Sequence, residues 1–307
     1  MAVSGEPLAN PKTLPGRFGG HSMVARLRRV ALCPPQTAGW ADPARANQWQ
    51  AVGYQHEPSP STAQKQHDRL RRLLESFGAE VLSFPGHDSY SLDAVYVHDP
   101  SLVTDYGAIC LRMGKSCRSG EPPRHRAFYA SLGIPILGEI EVPGTAEAGD
   151  MVWLDPSTLL VGHGYRTDAA GIEQLRALLR PKGIQVIVAP LPHGAGPESC
   201  LHLMSLLSLL DSQTALVDLA WLSVSTVELL RERGFTLIEI DPSERDTLAC
   251  NVLALGEGAL LAFEENPQTV KHLRQAGFEV MTVPGSDIGI NGGGGPTCLT
   301  RPLWRAG

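Results

Sequence analysis

No run of apolar residues in this chain is long enough to span a bilayer, which removes a transmembrane helix from consideration. Lysine and arginine form no block and aromatics are only 6% of residues, so no basic stripe with interleaved rings is present. With a formal net charge of -6, that pattern excludes an ordinary nucleic-acid-binding surface. Cysteine is scattered as Cys33, Cys110, Cys117, Cys200, Cys250 and Cys298, with no CxxC pair, which argues against a zinc site. The opening residues hold no apolar signal-peptide core, and the expectation is free thiols in a reducing cytoplasm. Most of the six cysteines read as small buried apolar residues. What remains is a 307-residue chain with 43% hydrophobic and 19% charged residues, a soluble globular profile. Residues 1–22, rich in Gly, Pro and polar residues, read as a flexible tail, with Met23 a second possible start; 23–307 reads as a single domain.

An internal repeat organises that domain. Residues 64–77, 124–132, 171–182, 225–233 and 266–276 each show helical apolar spacing, as in Leu70, Leu73, Leu74 and Phe77. Each is followed by a glycine (Gly78, Gly133, Gly183, Gly234, Gly277) placed as a helix C-cap, then by a β-rich run. Between these units lie hairpin-like pairs of apolar runs, such as Met151-Val152-Trp153 and Leu159-Leu160-Val161 around Asp155-Pro156-Ser157. The unit is strand–strand–helix–strand, repeated five times at about 45–55 residues, within the range of propeller repeats. One unit cannot bury both faces of its sheet, so the units must pack together. The fold class is α/β: a five-bladed α/β propeller of ββαβ repeats whose loops meet at a central site.

Four stretches break this grammar. Asp93-Ala94-Val95-Tyr96-Val97-His98-Asp99-Pro100 reads as an alternating strand ending in an acid. Glu147-Ala148-Gly149-Asp150 precedes a strand, and Cys200-Leu201-His202-Leu203-Met204 sets a histidine among apolar residues. The last is Asn291-Gly292-Gly293-Gly294-Gly295-Pro296-Thr297-Cys298, where four glycines in a row can form neither helix nor strand cheaply. Each has a plain reading as turn, solvated acid, core histidine or loose tail. Taken together, a thiol, an imidazole and carboxylates at corresponding edges of different repeats are the parts of a cysteine-nucleophile site.

In that order, Glu147-Ala148-Gly149-Asp150, Leu201-His202-Leu203 and Gly294-Gly295-Pro296-Thr297-Cys298 resemble the guanidino-group modifying enzymes. That superfamily includes arginine deiminases, amidinotransferases, agmatine deiminases and dimethylarginine dimethylaminohydrolases, and its fold is the five-bladed α/β propeller. The resemblance implies Cys298 as nucleophile, His202 as general acid/base and Glu147 as the carboxylate that orients the histidine. It implies Asp99 as the acid pairing with a substrate guanidinium, with Asp93 and Asp150 as further substrate contacts. The dimethylargininase branch, which 93–99 is similar to, holds a substrate α-carboxylate with two arginines, and Arg118 and Arg166 fall at matching places. His98 stands where that branch usually has a glutamate, and Met204 where deiminases and amidinotransferases have an acid.

The activity so implied is hydrolysis of arginine or an N-substituted, dimethylarginine-like arginine to citrulline and an amine through a covalent S-amidino enzyme. A small guanidino molecule is the expected partner, and no cofactor, metal, nucleic acid or membrane is expected. Oligomeric state is left as monomer or homodimer. Two other classes stay open: a deiminase, dihydrolase or amidinotransferase on another guanidino substrate, and a non-catalytic propeller that binds a partner.

Overall fold

The computed structural model describes residues 18–306. The chain opens with β1 (Arg26–Leu32), the short α1 (Pro43–Ala46), α2 (Pro60–Ser76) and β2 (Glu80–Ser83). The second unit is β3 (Ser101–Thr104), β4 (Gly107–Cys110), α3 (Glu121–Ser131) and β5 (Ile136–Glu139). The third is β6 (Met151–Asp155), β7 (Thr158–His163), α4 (Ala169–Leu179) and β8 (Gln185–Pro190). The fourth is β9 (Leu207–Leu209), β10 (Thr214–Val217), α5 (Val224–Glu232) and β11 (Thr236–Glu239). The fifth is β12 (Leu253–Gly256), β13 (Ala259–Phe263), α6 (Pro267–Gln275) and β14 (Glu279–Val283). A last strand, β15 (Arg301–Ala306), returns to pair antiparallel with β1 and completes the first sheet as β15-β1-β2.

Five three-stranded sheets result, each an antiparallel pair followed by a helical crossover to a parallel third strand. A parallel neighbour needs such a crossover, which is why every blade carries a crossover helix. Starts and stops are written locally. Ser59, Asp168 and Ser223 cap α2, α4 and α5 by accepting from a backbone N–H of the first turn. The five glycines after the blade helices all adopt left-handed backbone, with φ from +70° at Gly133 to +95° at Gly277. These observations bear out the α/β propeller expected from the repeats.

The apolar core lies between blades. One cluster joins the second and third units through Leu102, Ile109, Met151 and Leu159. Another joins the third and fourth through Leu160, Leu203 and Leu230, and a further one the fourth and fifth through Leu216, Leu260 and Leu273. The largest cluster seals the fifth, first and second units around Trp40, Leu70, Phe84 and Phe263. Each middle strand is flanked on both edges and covered on both faces, so β4 and β13 are buried along their whole length.

Two local expectations are corrected. The 93–99 stretch is not a strand: Leu92–Val95 form a single 3₁₀ turn, and every residue from 92 to 100 is buried. Its alternation of apolar and polar side chains reflects polar groups turned to the centre of the ring, not to solvent. The tail expected over 1–22 falls mostly on residues 1–17, which lie outside the described residues. From Phe18 onward the chain is docked: Gly19 N–H donates to Leu303 O at 2.8 Å, and the His21 ring stacks on Trp153 at 4.2 Å.

Candidate active site

Each blade delivers one polar side chain from the segment leading into its innermost strand. Asp99 precedes β3, Glu147 precedes β6, His202 precedes β9, Asn251 precedes β12 and Cys298 precedes β15. Pseudo-fivefold symmetry therefore brings residues almost 200 positions apart to one point on the axis, as the propeller reading required.

The centre is an imidazole–carboxylate pair. His202 Nε2 donates to Glu147 Oε2 at 2.8 Å, and Glu147 is fully buried. The other Glu147 oxygen accepts from the backbone N–H groups of Gly114 and Lys115 at 2.9 and 3.1 Å. Burial alone would raise this carboxyl, but the His202 hydrogen bond and charge, with Arg118 and Arg166, hold it down to about 2. Burial would lower His202, yet Cys200, Asp150 and Asp99 together carry it well above the usual histidine range. At neutral pH the pair is an imidazolium beside a carboxylate. Its other nitrogen, Nδ1, is hydrogen-bonded to Cys200 Sγ at 3.6 Å and lies 4.0 Å from Asp99 Oδ1.

Gly149 explains its place in the acidic motif. A Cβ there would sit 2.4 Å from His202 Nδ1 and 2.7 Å from Cγ, so only glycine admits the ring. Asp150, expected as a substrate contact, instead fastens the histidine segment. Its Oδ1 accepts from Leu203 N–H at 2.9 Å and its Oδ2 from the Thr167 hydroxyl at 2.6 Å. Both oxygens are used inside the protein, and burial lifts the group to about 6.

Cys298 is half-buried on the turn after the glycine run. The glycines are there for close approach: a Cβ at Gly294 would lie 2.4 Å from the Tyr96 ring, and one at Gly295 2.4 Å from Asn251 Oδ1. Asn251 clamps the turn, accepting from Thr297 N–H at 2.9 Å and donating to Cys298 Sγ at 3.4 Å. Burial, then Asp99, push the thiol up to about 12, and the nearby His202 only partly opposes this. In the free protein Cys298 is a thiol; a cation brought against it would favour the thiolate.

Asp99 is held by Arg118 Nη1 at 2.6 Å through Oδ2, while its buried Oδ1 has no partner. That orphaned acceptor faces the site. Asp93 is less available than expected, since Lys115 Nζ bonds its Oδ2 at 2.5 Å and also reaches Val52 O at 2.6 Å, tying the β1–α2 connection to the centre. Arg118, expected at a substrate carboxylate, is engaged within the protein in this structure. Its Nε and Nη2 bind Glu121 at 2.9 and 2.8 Å, Nη1 binds Asp99, and Tyr96 O takes another bond, so the fork is fully committed within the fold. Arg166 differs: its Nη1 stands 3.8 Å from Glu147 Oε1 and its Nε has no partner. His98, expected at the substrate, is likewise engaged within the protein. Its Nδ1 donates to Thr300 O at 2.9 Å and its backbone N–H to Cys298 O at 3.2 Å, so it pins the cysteine turn, and burial keeps the ring neutral.

Asn251 and Cys200 were missed from sequence. Asn251 was findable: it occupies, ahead of β12, the repeat position that Asp99, Glu147, His202 and Cys298 occupy elsewhere. Cys200 carries no such signal, being outside the repeat register. Donor atoms of Asp99, Glu147 and His202 lie within 4.8 Å of one another, a cluster of the kind that can hold a cation. Nε2 is already spent on Glu147, and the imidazolium and two guanidinium groups stand close by, which disfavours a divalent metal there.

A ring of five blades with a thiol, a carboxylate-paired imidazole and a free buried carboxylate oxygen at its axis defines an enzyme of the guanidino-group modifying class. The arginine deiminase family model matches residues 92–228 and 220–305, and the chain belongs to that family. It is 29% identical over 290 residues to the uncharacterized protein YkgA of Bacillus subtilis, covering 93% of this chain and 96% of that one. It is 30% identical over 227 residues to a dimethylarginine dimethylaminohydrolase of Streptomyces coelicolor, covering 74% and 80%. In structure it resembles the dimethylarginine dimethylaminohydrolase of Pseudomonas aeruginosa solved as a mutant complexed with citrulline. There the TM-score is 0.71 at 23% identity, over 92% of this chain and all of that one.

Proposed function

We propose that this protein hydrolyses the guanidino group of arginine or an N-substituted, dimethylarginine-like arginine, releasing an amine and leaving a ureido product, citrulline. The observation that carries the proposal is the unpaired Asp99 Oδ1, buried 4.0 Å from His202 Nδ1 in the same centre as Cys298. A planar guanidinium satisfies that acceptor and lowers the Cys298 thiol so that it can attack. Orientation matters here because the guanidinium carbon is a poor electrophile, and holding it in line replaces much of the lost entropy.

The steps balance with the groups present. As the guanidinium binds, Cys298 releases its thiol proton to solvent; the thiolate then adds to the guanidinium carbon, and His202 Nδ1 gives its proton to the departing amine as the C–N bond breaks. A thiouronium enzyme is left, with His202 neutral. His202 then takes one proton from water, hydroxide adds to the same carbon, and the C–S bond breaks to release the urea, the remaining hydroxyl proton passing to the departing sulfur and restoring the Cys298 thiol. Glu147 keeps the imidazole oriented and stabilises its cationic form throughout. Asn251, donating to sulfur, steadies the leaving thiolate.

The test is a competition assay with dimethylarginine, arginine, agmatine and guanidino acids, products being identified by mass. Citrulline together with an alkylamine from the methylated substrate, and its loss in Cys298→Ala, is the expected result. Undiminished turnover by Cys298→Ala, or turnover only when an amidino acceptor is added, would overturn the proposal.

A further inference from the structure

Further along the inner strands from the catalytic centre, the axis of the ring holds two arginines that the chemistry above does not use. Arg301 and Arg305 alternate inward on β15 and are each 5% exposed. Arg301 Nη1 donates to His98 O at 2.9 Å and Ser101 O at 2.5 Å, leaving Nε without a partner. Arg305 Nη1 donates to Ala25 O at 2.6 Å, leaving Nη2 without one. A cavity of about 20 Å³ is lined by both arginines together with Gly20, Met23, Leu102 and Trp153.

Charge in this cavity does not balance among the described residues. Arg305 is lowered by burial and then by Arg301, with no acid opposing either effect. For Arg301, burial outweighs the help of Tyr129 and Asp99, and Asp99 is already bonded to Arg118. His98, which lines the same space, is kept neutral. A guanidinium does not give up its proton at working pH, so both positive charges persist in a buried space. Backbone carbonyls satisfy some donors but supply no countercharge, and an uncompensated buried ion is strongly unfavourable.

We propose that Arg301, Arg305 and the cavity they line form a binding site for one small inorganic monoanion of the chloride class. The volume admits a single water-sized species and excludes phosphate- or carboxylate-sized anions. Water would meet the free N–H groups but would leave the charge unmet; a halide meets both, and the apolar walls suit its weak hydration. The site joins β15 to the docked segment that carries Ala25, and its occupant acts as an internal counterion that holds the ring closed.

Two measurements test this. Thermal unfolding of the full chain is followed in chloride and in gluconate, too large for the cavity, at equal ionic strength and pH. The melting temperature is expected to rise with chloride by about 2 °C per tenfold above saturation, and to be flat in gluconate. Arg305→Met should lose the chloride dependence. Because that variant could fail to fold, wild-type crystals soaked in bromide give an independent reading. An anomalous peak in that cavity supports the site. Water-strength density with no anomalous signal, or melting temperatures that follow ionic strength alone, would overturn it.

Discussion

The His202 ring lies against Gly149 so closely that a single added methyl group would come within 2.4 Å of Nδ1. The first prediction follows from that contact. Gly149→Ala should displace the imidazole and lower kcat by about 100-fold or more, since small misplacements of a catalytic group are expensive. The overpacking penalty on stability should be only about 1–3 kcal/mol. Steady-state kinetics beside urea unfolding separate the two; unchanged kcat would show that the ring can relax.

Glu147 joins two backbone N–H groups through one oxygen and His202 through the other. In Glu147→Gln the amide oxygen keeps the backbone bonds, which turns an N–H donor toward Nε2 and favours the wrong histidine tautomer. The expected loss in kcat is about 10²–10⁴-fold with little change in KM. NMR of the imidazole nitrogens reads the tautomer directly.

Arg118 neutralises Asp99 and Glu121 in a cluster where all three side chains are buried. Replacing it with Met strands two carboxylates, and the destabilisation should be about 3–5 kcal/mol in urea unfolding. A substrate-binding arginine would behave differently, raising KM while sparing the fold.

Of the two arginines expected at a substrate carboxylate, Arg166 is the one whose Nε is still unpaired. Arg166→Ala should raise KM by about 10- to 100-fold for arginine-like substrates bearing an α-carboxylate, the worth of one charged hydrogen bond. Agmatine, which lacks that group, should be spared. Equal effects on both would remove Arg166 from the carboxylate end.

Burial raises Asp150 from the usual carboxylate range to about 6. Its protonated form is the one the native state favours, so its contribution is fully present below about 4 and is lost as pH rises through 6. Above that, the ionised group costs about 3 kcal/mol. Glu121, raised to about 7, acts in the same direction. Glu147, held near 2, acts in the opposite one: its contribution is present above 4.5 and is lost only in strong acid. The buried neutral His67, His98 and His125 pull the other way over the same range, so the sharp expectation is for the variant: Asp150→Asn should make stability rise more steeply with pH than in the wild type between about pH 4 and 6. An unaltered slope would show that Asp150 does not set it.

The repeat, the capping glycines and four of the five axial side chains were legible because each is a local signal recurring at a fixed place in every unit. What was not legible depends on partners remote in sequence. Arg118 looks like a ligand arginine until Glu121 and Asp99 are seen filling its fork. The 93–99 run alternates like a strand, but burial on every side removes the solvent face on which that reading depends. Closure of the first sheet by β15 needs a pairing between Arg26 and Ala306, which no local pattern announces.

That closure has a consequence for how the molecule comes into being. During synthesis β1 can find β2 early, but its antiparallel neighbour emerges only after the other four blades, and non-local pairings of this kind form slowly. Cys298 rides on the segment between β14 and β15, so it meets His202 and Asn251 only as that final strand zips into place. A partly made or misassembled chain carries no armed thiol. Completion of the ring and switching-on of its chemistry are one event.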